Sequence, residues 1–330
     1  MTDGAGGLGG SQVVADAGRV EESRREVLAG LRRPDKRISS KFHYDERGSE
    51  LFEQITRLDE YYLTRSERAL LVEWMPTWVR DLRPATLVEL GAGSADKSRI
   101  VLNAMVEHGS GVVYVPIDVS ADFLNDTARQ LHEEYPALAI VPKVADIMEP
   151  IGLPAELPGP RWLAFLGSTL GNFESSESVQ LLERVAAGMG SQDRFLLGID
   201  LRSGPLKSVE RIELAYDDPP GITSAFSLNV LNVLNHEVGS DFDVESFRHR
   251  SFYNVEEGRI ETFLDSIREQ VVRFPDGEEV RFAEGEAMRT EISTKYDRAT
   301  IDDLFDRAGL VVDQWVEDER GYYALVLGAR

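Results

Sequence analysis

The alternation that begins at Thr86 constrains this chain more than any other feature. The β-rich runs "TLVEL", "GVVYVPID" and "AIVPKVAD" are separated by the helix-length segments "DKSRIVLNAMVEH" and "SADFLNDTARQLHEEY", and "RWLAFLG" and "RFLLGIDL" then flank "SSESVQLLERVAAGM". Alternation of this kind predicts parallel strands joined by helical crossovers, hence an α/β domain with helices on both faces of a mostly parallel sheet. Ser120 is placed to cap the helix starting "ADFLND", and Ser175 or Ser176 the helix "VQLLERV". Near Leu201 the pattern stops. Up to about Thr290 the chain reads as an insertion, with helical "SLNVLNVLNHEV" and a hairpin turn at "FPDGEE". It resumes with "IDDLFDRAGL", which Thr300 or Asp303 can cap, followed by "VVDQWVED", the turn "ERG" and "YYALVLGAR". That terminal hairpin sets an antiparallel strand into the parallel sheet, which a six-stranded dinucleotide-binding fold does not require.

Composition narrows the classes of function. A formal charge of −22 over 330 residues repels phosphate backbones and anionic bilayers, so neither nucleic acid nor a membrane is expected as a partner. The chain has no cysteine, which excludes disulfides, thiolate metal sites and a cysteine nucleophile and fits a reducing compartment. Its longest apolar runs, such as "YYALVLGA", are far shorter than the roughly 20 residues of a membrane span. The start, "MTDGAGGLGGS", has no basic region followed by an apolar core. A cytoplasmic monomer with a disordered Gly-rich segment over residues 1–17 is the expectation.

The loop after "TLVEL" reads Gly91-Ala92-Gly93-Ser94-Ala95-Asp96-Lys97-Ser98. A P-loop needs glycine where Asp96 stands, since backbone N–H groups wrap the phosphates there and a carboxylate would repel them. The dinucleotide fingerprint needs its third glycine at the same place, where helix and strand pack around a pyrophosphate. Both nucleoside triphosphates and nicotinamide cofactors are therefore disfavoured. What remains is a strand ending in Glu89, a glycine turn, Asp118 at the end of the next strand to accept two ribose hydroxyls, and Asp146 at the end of the third for an adenine amino group. A nucleoside site without phosphate machinery suits S-adenosylmethionine (SAM).

The blocks "KFHYDERGSELFEQITRLDEYYLTR", "LVELGAGSADKSR", "FLGSTLGNF", "AYDDPPGITSAF" and "EISTKY" closely resemble the L-histidine Nα-methyltransferases of ergothioneine biosynthesis, and the resemblance runs from about residue 20 to the end. It implies a Rossmann-like SAM domain over 66–200 and 294–330, and a second, α+β, substrate-binding domain formed by 18–65 and 201–293. It further implies three methylations of the histidine α-amine to give the betaine hercynine. Residue by residue, it assigns SAM contacts to Tyr44, Gly91, Lys97, Asp118, Asp146 and Gly167. Histidine contacts fall on Tyr61, Asn172, Tyr216, Glu291 and Ser293, and Tyr44 and Asn172 are the candidates nearest the reacting amine.

The chemistry of these residue types is consistent with that assignment. Asn172 can donate to a carboxylate or accept from an amine, and the phenols of Tyr61 and Tyr216 add directed, uncharged hydrogen bonds. If "TEISTKY" is extended, Glu291 and Ser293 share one face, and a carboxylate with a hydroxyl can engage both imidazole nitrogens. The chain departs from its relatives at His43, where an aromatic is common, at Ile147, where Phe is frequent, and at Thr262, where a bulkier methionine is usual. The five histidines show no metal-ligand spacing, so no metal is expected. Asp217-Asp218 before Pro-Pro-Gly reads as a turn, and Ser168 lacks the glycine spacing of a hydrolase nucleophile. Two rival functions stay open: Nα-methylation of another aromatic amino acid, suggested by Thr262, and a non-catalytic SAM-binding module.

Overall fold

A computed structural model describes residues 8–149, 152–153 and 156–330. The chain opens with α1 (Leu8–Leu31), a 3-10 turn at Ser40–His43, α2 (Glu46–Arg57) and α3 (Leu63–Leu82). Next come β1 (Thr86–Leu90), α4 (Ser98–Glu107), β2 (Val113–Asp118), α5 (Ala121–Glu134), β3 (Ala139–Ile140) and β4 (Lys143–Val144). These are followed by β5 (Arg161–Phe165), a 3-10 turn at Thr169–Asn172, α6 (Ser175–Gly188), β6 (Arg194–Asp200), α7 (Val209–Glu213) and α8 (Ile222–Glu237). After a 3-10 turn at Val244–Ser246 the chain continues through β7 (Phe247–Asn254), β8 (Arg259–Ser266), β9 (Gln270–Arg273), β10 (Glu279–Phe282) and β11 (Ala287–Thr294). It closes with α9 (Arg298–Ala308), β12 (Val311–Glu317) and β13 (Tyr323–Ala329).

Contacts divide the chain into two compact units. One comprises the described residues of 1–61, 210–254 and 260–292, and the other those of 62–209, 255–259 and 293–330. The second holds an eight-stranded sheet in the order β12-β13-β6-β5-β1-β2-β3, with β4 also pairing with β2. Strands β1 to β6 pair in parallel, while β13 runs antiparallel to both β6 and β12. The fold class is therefore the α/β arrangement with a terminal antiparallel hairpin that the alternation predicts. Val88, Leu90, Ile117, Phe165, Leu197 and Ile199 pack on one face with Leu181, Leu182 and Val185 of α6 and Ile301 and Phe305 of α9. Strand alternation turns Leu87, Tyr114, Trp162, Leu196 and Tyr323 to the other face, and all five have no exposed surface.

Several local expectations shift for physical reasons. "AIVPKVAD" is two short strands, because Pro142 has no N–H to give a ladder and separates β3 from β4. Helix α6 is capped by Glu174 in a reciprocal pair with Glu177, and α9 by Asp297, whose carboxylate accepts from Thr300 N at 2.8 Å. Residues 8–17, expected to be disordered, belong to α1, a segment with no proline to interrupt the helix. Residues 1–7 of that expected disordered segment lie outside the described range.

Residues 201–209, read as part of the insertion, group with the sheet. Leu201 N donates to Tyr322 O at 3.0 Å and Arg202 N to Tyr296 O at 2.9 Å, so the chain stays tied to the sheet past the end of β6. Residues 255–259 do likewise, Gly258 O accepting from Lys295 N at 2.8 Å.

The first unit has its own core. Val27, Leu28 and Leu31 of α1 pack with Val230, Leu231 and Leu234 of α8 and with Phe247, Leu264, Val272, Phe282 and Met288 from its strands. The β11-β8-β7 sheet and the β9-β10 hairpin carry those strands, and Gly277 at φ +85° makes the hairpin turn. No described helix is long and apolar enough to cross a membrane. Phe282 has no exposed surface, and Phe282→Ala should cost about 3–5 kcal/mol of stability, read as a lowered urea midpoint. An unchanged midpoint would contradict this core.

Candidate active site

In the parallel sheet the strand order reverses between β1 and β5, and open α/β sheets bind ligands outside the carboxyl ends of their strands at such a point. Beyond β1 the chain turns through Gly91 at φ +69°, Gly93 at +50° and Ala95 at +55°. Only glycine adopts the first two without strain. Gly91 N and Ala92 N donate to Ile117 O at 2.9 and 3.0 Å, which folds the loop over the end of β2. There Asp118 accepts from Gly93 N at 3.1 Å and Ser120 N at 3.0 Å. Its oxygens are thus oriented and keep further lone pairs for a ligand. Ala145 N donates to Asp118 O at 3.1 Å, bringing the β4 end to the same place, and Asp146 is held by Met148 N at 2.8 Å.

Two buried glutamates lie beneath this rim. Glu89 accepts from the hydroxyls of Ser98 and Tyr114. Burial pushes its pKa up to about 7, against the pull of those two hydrogen bonds and of Lys97. Glu67, on α3 and fully buried, accepts from Gly167 N at 2.8 and 3.0 Å and from Tyr323 OH at 2.8 Å, and pairs with Lys97 at 2.6 Å. Lys97 and Gly167, taken from the sequence as ligand contacts, are therefore fixed by one carboxylate that sequence reasoning missed. Its signal was available: Glu67 falls on the buried stripe Leu63, Leu70, Leu71, Met75 and Trp78 of α3, where a solvated charge has no place. A Cβ at Gly167, whose φ is +82°, would lie 2.9 Å from Lys97 Nζ.

After β5 the chain passes Ser168 in a left-handed conformation and enters the turn ending at Asn172. Gly171 is packed so closely on Thr294 that a Cβ would lie 2.6 Å from its carbonyl oxygen, which seats the Asn172 turn beside the end of β11. Ser293, in that end, is buried and accepts from Lys295 Nζ at 2.8 Å. Glu291 lies two residues earlier in the same strand, so both side chains fall on one face.

The remaining sequence-selected residues belong to the first unit. Tyr61 meets Tyr216 edge-on at 6.2 Å, and Phe52 links Tyr61 to Tyr44 at 6.2 and 5.8 Å. Tyr44 also lies edge-on to Phe226 at 5.7 Å and is 40% exposed, so part of this phenol is available to a ligand. His43 does the work of an aromatic. It stacks on Phe226 at 4.9 Å, and burial lowers its pKa to about 4, so the ring is neutral at pH 7. Asp218 caps α8 through Ile222 N at 2.9 Å and Thr223 N at 2.7 Å, as the turn reading requires. No cluster of metal-ligating side chains occurs among the described residues.

The chain matches the family model for histidine-specific, SAM-dependent methyltransferases over residues 23–330. It belongs to that family. It is similar to the histidine N-alpha-methyltransferases of Mycobacterium tuberculosis, at 40% identity over 96% of this chain and 97% of the relative, and of Mycolicibacterium smegmatis, at 38% over 94% and 95%. It is also 29% identical to ergothioneine biosynthesis protein 1 of Neurospora crassa over 90% of this chain, which spans 34% of that longer protein. SAM fits the rim as built: an oriented, unpaired-capable carboxylate at Asp118, a glycine turn open to backbone approach, and a cradle at Gly167 that a Cβ would fill.

Glu89 makes the stability of this methyltransferase depend on pH. Its folded pKa lies above the ordinary glutamate value, so the folded state keeps a proton that the unfolded chain gives up, and stability falls as pH rises from about 4.5 to about 7 and then levels. Glu89→Gln should remove that slope, worth on the order of 3 kcal/mol at most. Urea unfolding of both proteins at pH 5 and pH 8 tests this, and parallel pH profiles would refute it.

Proposed function

We propose that the chain transfers three methyl groups from SAM to the α-amine of L-histidine, giving hercynine, the first step of ergothioneine biosynthesis. The observation that carries this reading is the family match across residues 23–330, joined to 40% identity with a histidine N-alpha-methyltransferase over nearly the whole of both chains. We read it as a cytoplasmic monomer acting on small molecules, with neither nucleic acid nor a membrane as partner; the charge of −22 supports this.

When bound, SAM supplies an electrophilic methyl on a sulfonium. The protein's own task is to orient the amine, exclude water and take up the ammonium protons. For SAM the proposed contacts are Gly91, Lys97, Asp118, Asp146, Gly167 and Tyr44. The proposed histidine contacts are Tyr61, Tyr216, Glu291, Asn172 and Ser293, with Tyr44 and Asn172 nearest the reacting nitrogen. An apolar ring in place of the imidazole forfeits the hydrogen bonds proposed for Glu291 and Ser293, and that loss is how such a site discriminates against other amino acids.

Incubation with SAM and an equimolar mixture of amino acids, read by mass spectrometry, should yield trimethylated histidine and no other methylated product. Methylation of a different amino acid, or of none, would overturn the proposal. Glu291→Ala should lower kcat/KM for histidine by at least about tenfold while leaving SAM affinity unchanged; equal loss of both would remove its substrate role. Glu67→Gln, which weakens the anchor of Lys97, should raise the Kd for SAM by about tenfold in calorimetric titration. An unchanged Kd would separate Lys97 from the cofactor.

A further inference from the structure

Ser168 stands between two of the proposed contacts, Gly167 and Asn172, in a conformation that serine rarely adopts. Among the described residues three non-glycines have positive φ: Arg83 just past the end of α3, Ala95 in the glycine turn, and Ser168 at +58°. The left-handed region crowds a Cβ against the backbone, so glycine is its usual occupant, and another residue found there points to a use for its side chain. Serine commonly caps the turn it precedes, but Ser168 makes no such bond to the turn Thr169–Asn172. Its Oγ instead accepts from Asp200 N at 2.9 Å, and the residue is buried. Strand β5 ends at Phe165, opposite Leu197, while β6 runs on to Asp200. The hydroxyl thus takes the place of a ladder acceptor beyond the end of β5.

The residue that Ser168 holds is itself firmly set. Asp200 has no exposed surface; its carboxylate is in direct contact with Lys207 and lies 2.8 Å from Lys295, and Tyr62 OH donates to both oxygens at 3.0 and 2.9 Å. On the other side, Ser168 O accepts from Gly171 N at 2.9 Å and Thr169 Oγ1 donates to Leu166 O at 2.8 Å, so residues 166–171 are closed on themselves. Gly167 has its own anchor in Glu67, at 2.8 and 3.0 Å. We propose that Ser168 is a positioning residue for methyl transfer: its hydroxyl fastens this turn to the end of β6, fixes Asn172 relative to Gly167, and so aligns the acceptor amine with the methyl of SAM. This rests on the reading of Asn172 as a contact near that amine. Displacement at the methyl carbon needs nitrogen, carbon and sulfur in line, and a small misplacement costs rate. Because Gly167 is held separately, loss of the hydroxyl falls on alignment and spares cofactor affinity.

The test measures the single-turnover rate of the first methyl transfer at saturating histidine, and the Kd for SAM by calorimetry. It compares wild type, Ser168→Gly, Ser168→Ala, Asn172→Ala and the double variant Ser168→Gly with Asn172→Ala. Both changes at Ser168 remove the oxygen; glycine also relieves the left-handed backbone, whereas alanine keeps its strain. Each should slow transfer by about tenfold or more while the Kd for SAM stays within about twofold, and Ser168→Gly should add little once Asn172 is alanine. A serine that only satisfies Asp200 N would behave otherwise. Ser168→Gly would then transfer at the wild-type rate, or its loss would add in full to that of Asn172→Ala, and either result overturns the proposal. SAM affinity that falls as far as the rate overturns it too. If Asn172→Ala alone transfers at the wild-type rate, the reading of Asn172 fails and takes the proposal with it. Should Ser168→Ala not fold, Ser168→Gly, whose backbone is free of strain there, decides the matter.

Discussion

The carboxylate of Glu67 is the constraint on which most of the sheet unit depends. It is buried without exposure, and a buried carboxylate is tolerated only when donors and a cation surround it. The chain meets that demand from three directions: Gly167 N beyond β5, Tyr323 OH on β13 and Lys97 beyond the glycine turn. It also demands space. A Cβ at Gly198 on β6 would lie 1.9 Å from Glu67 Oε1, so the strand carries glycine where a parallel-sheet interior would ordinarily place a branched residue. Helix α3, the rim of the sheet and the terminal strand are thus held in register by one charge.

The same sheet handles its other buried acids differently, and the difference follows from the nearest cation. Glu89 has hydroxyl donors and a more distant Lys97, and burial prevails: its pKa rises to about 7. Asp200 is buried as deeply, which would raise its pKa too, but Lys207 and Lys295 lie against it and hold it below the ordinary value. Burial also draws the pKa of Lys207 down to about 8, against the attraction of Asp200. One acid is poised to hold a proton at neutral pH and the other stays ionised, a distinction made wholly by what surrounds them.

The fold and the local backbone of the candidate site were legible because their signals are local. The β-α alternation from Thr86 and the terminal "YYALVLGAR" need only neighbouring residues to be recognised. Gly91 and Gly93 announce left-handed backbone, and Asp118 follows a strand whose end the apolar run marks. Less was legible where a side chain is defined by a distant partner. Glu67 and Tyr323 are 256 residues apart in sequence, and nothing near either reveals the other. His43 stood out as a departure, yet its role as a neutral stacking ring depends on Phe226, far along the chain. Pro142, by contrast, was visible in the run it interrupts, and its missing N–H was overlooked there.

The sequence by itself determined the order of strands and helices, the glycine turn, the absence of phosphate machinery at Asp96, and a family resemblance dense enough to name cofactor and substrate. Each of these is written in contiguous residues, where periodicity, backbone freedom and side-chain charge act over one or two turns of chain. Tertiary structure alone decided which charges are buried and paired: Glu67 with Lys97, and Asp200 with Lys207 and Lys295. Charges act through space and their strength is set by local burial, so a lysine two residues after Ser293 reads as an ordinary solvated cation until folding removes it from water and gives it a partner.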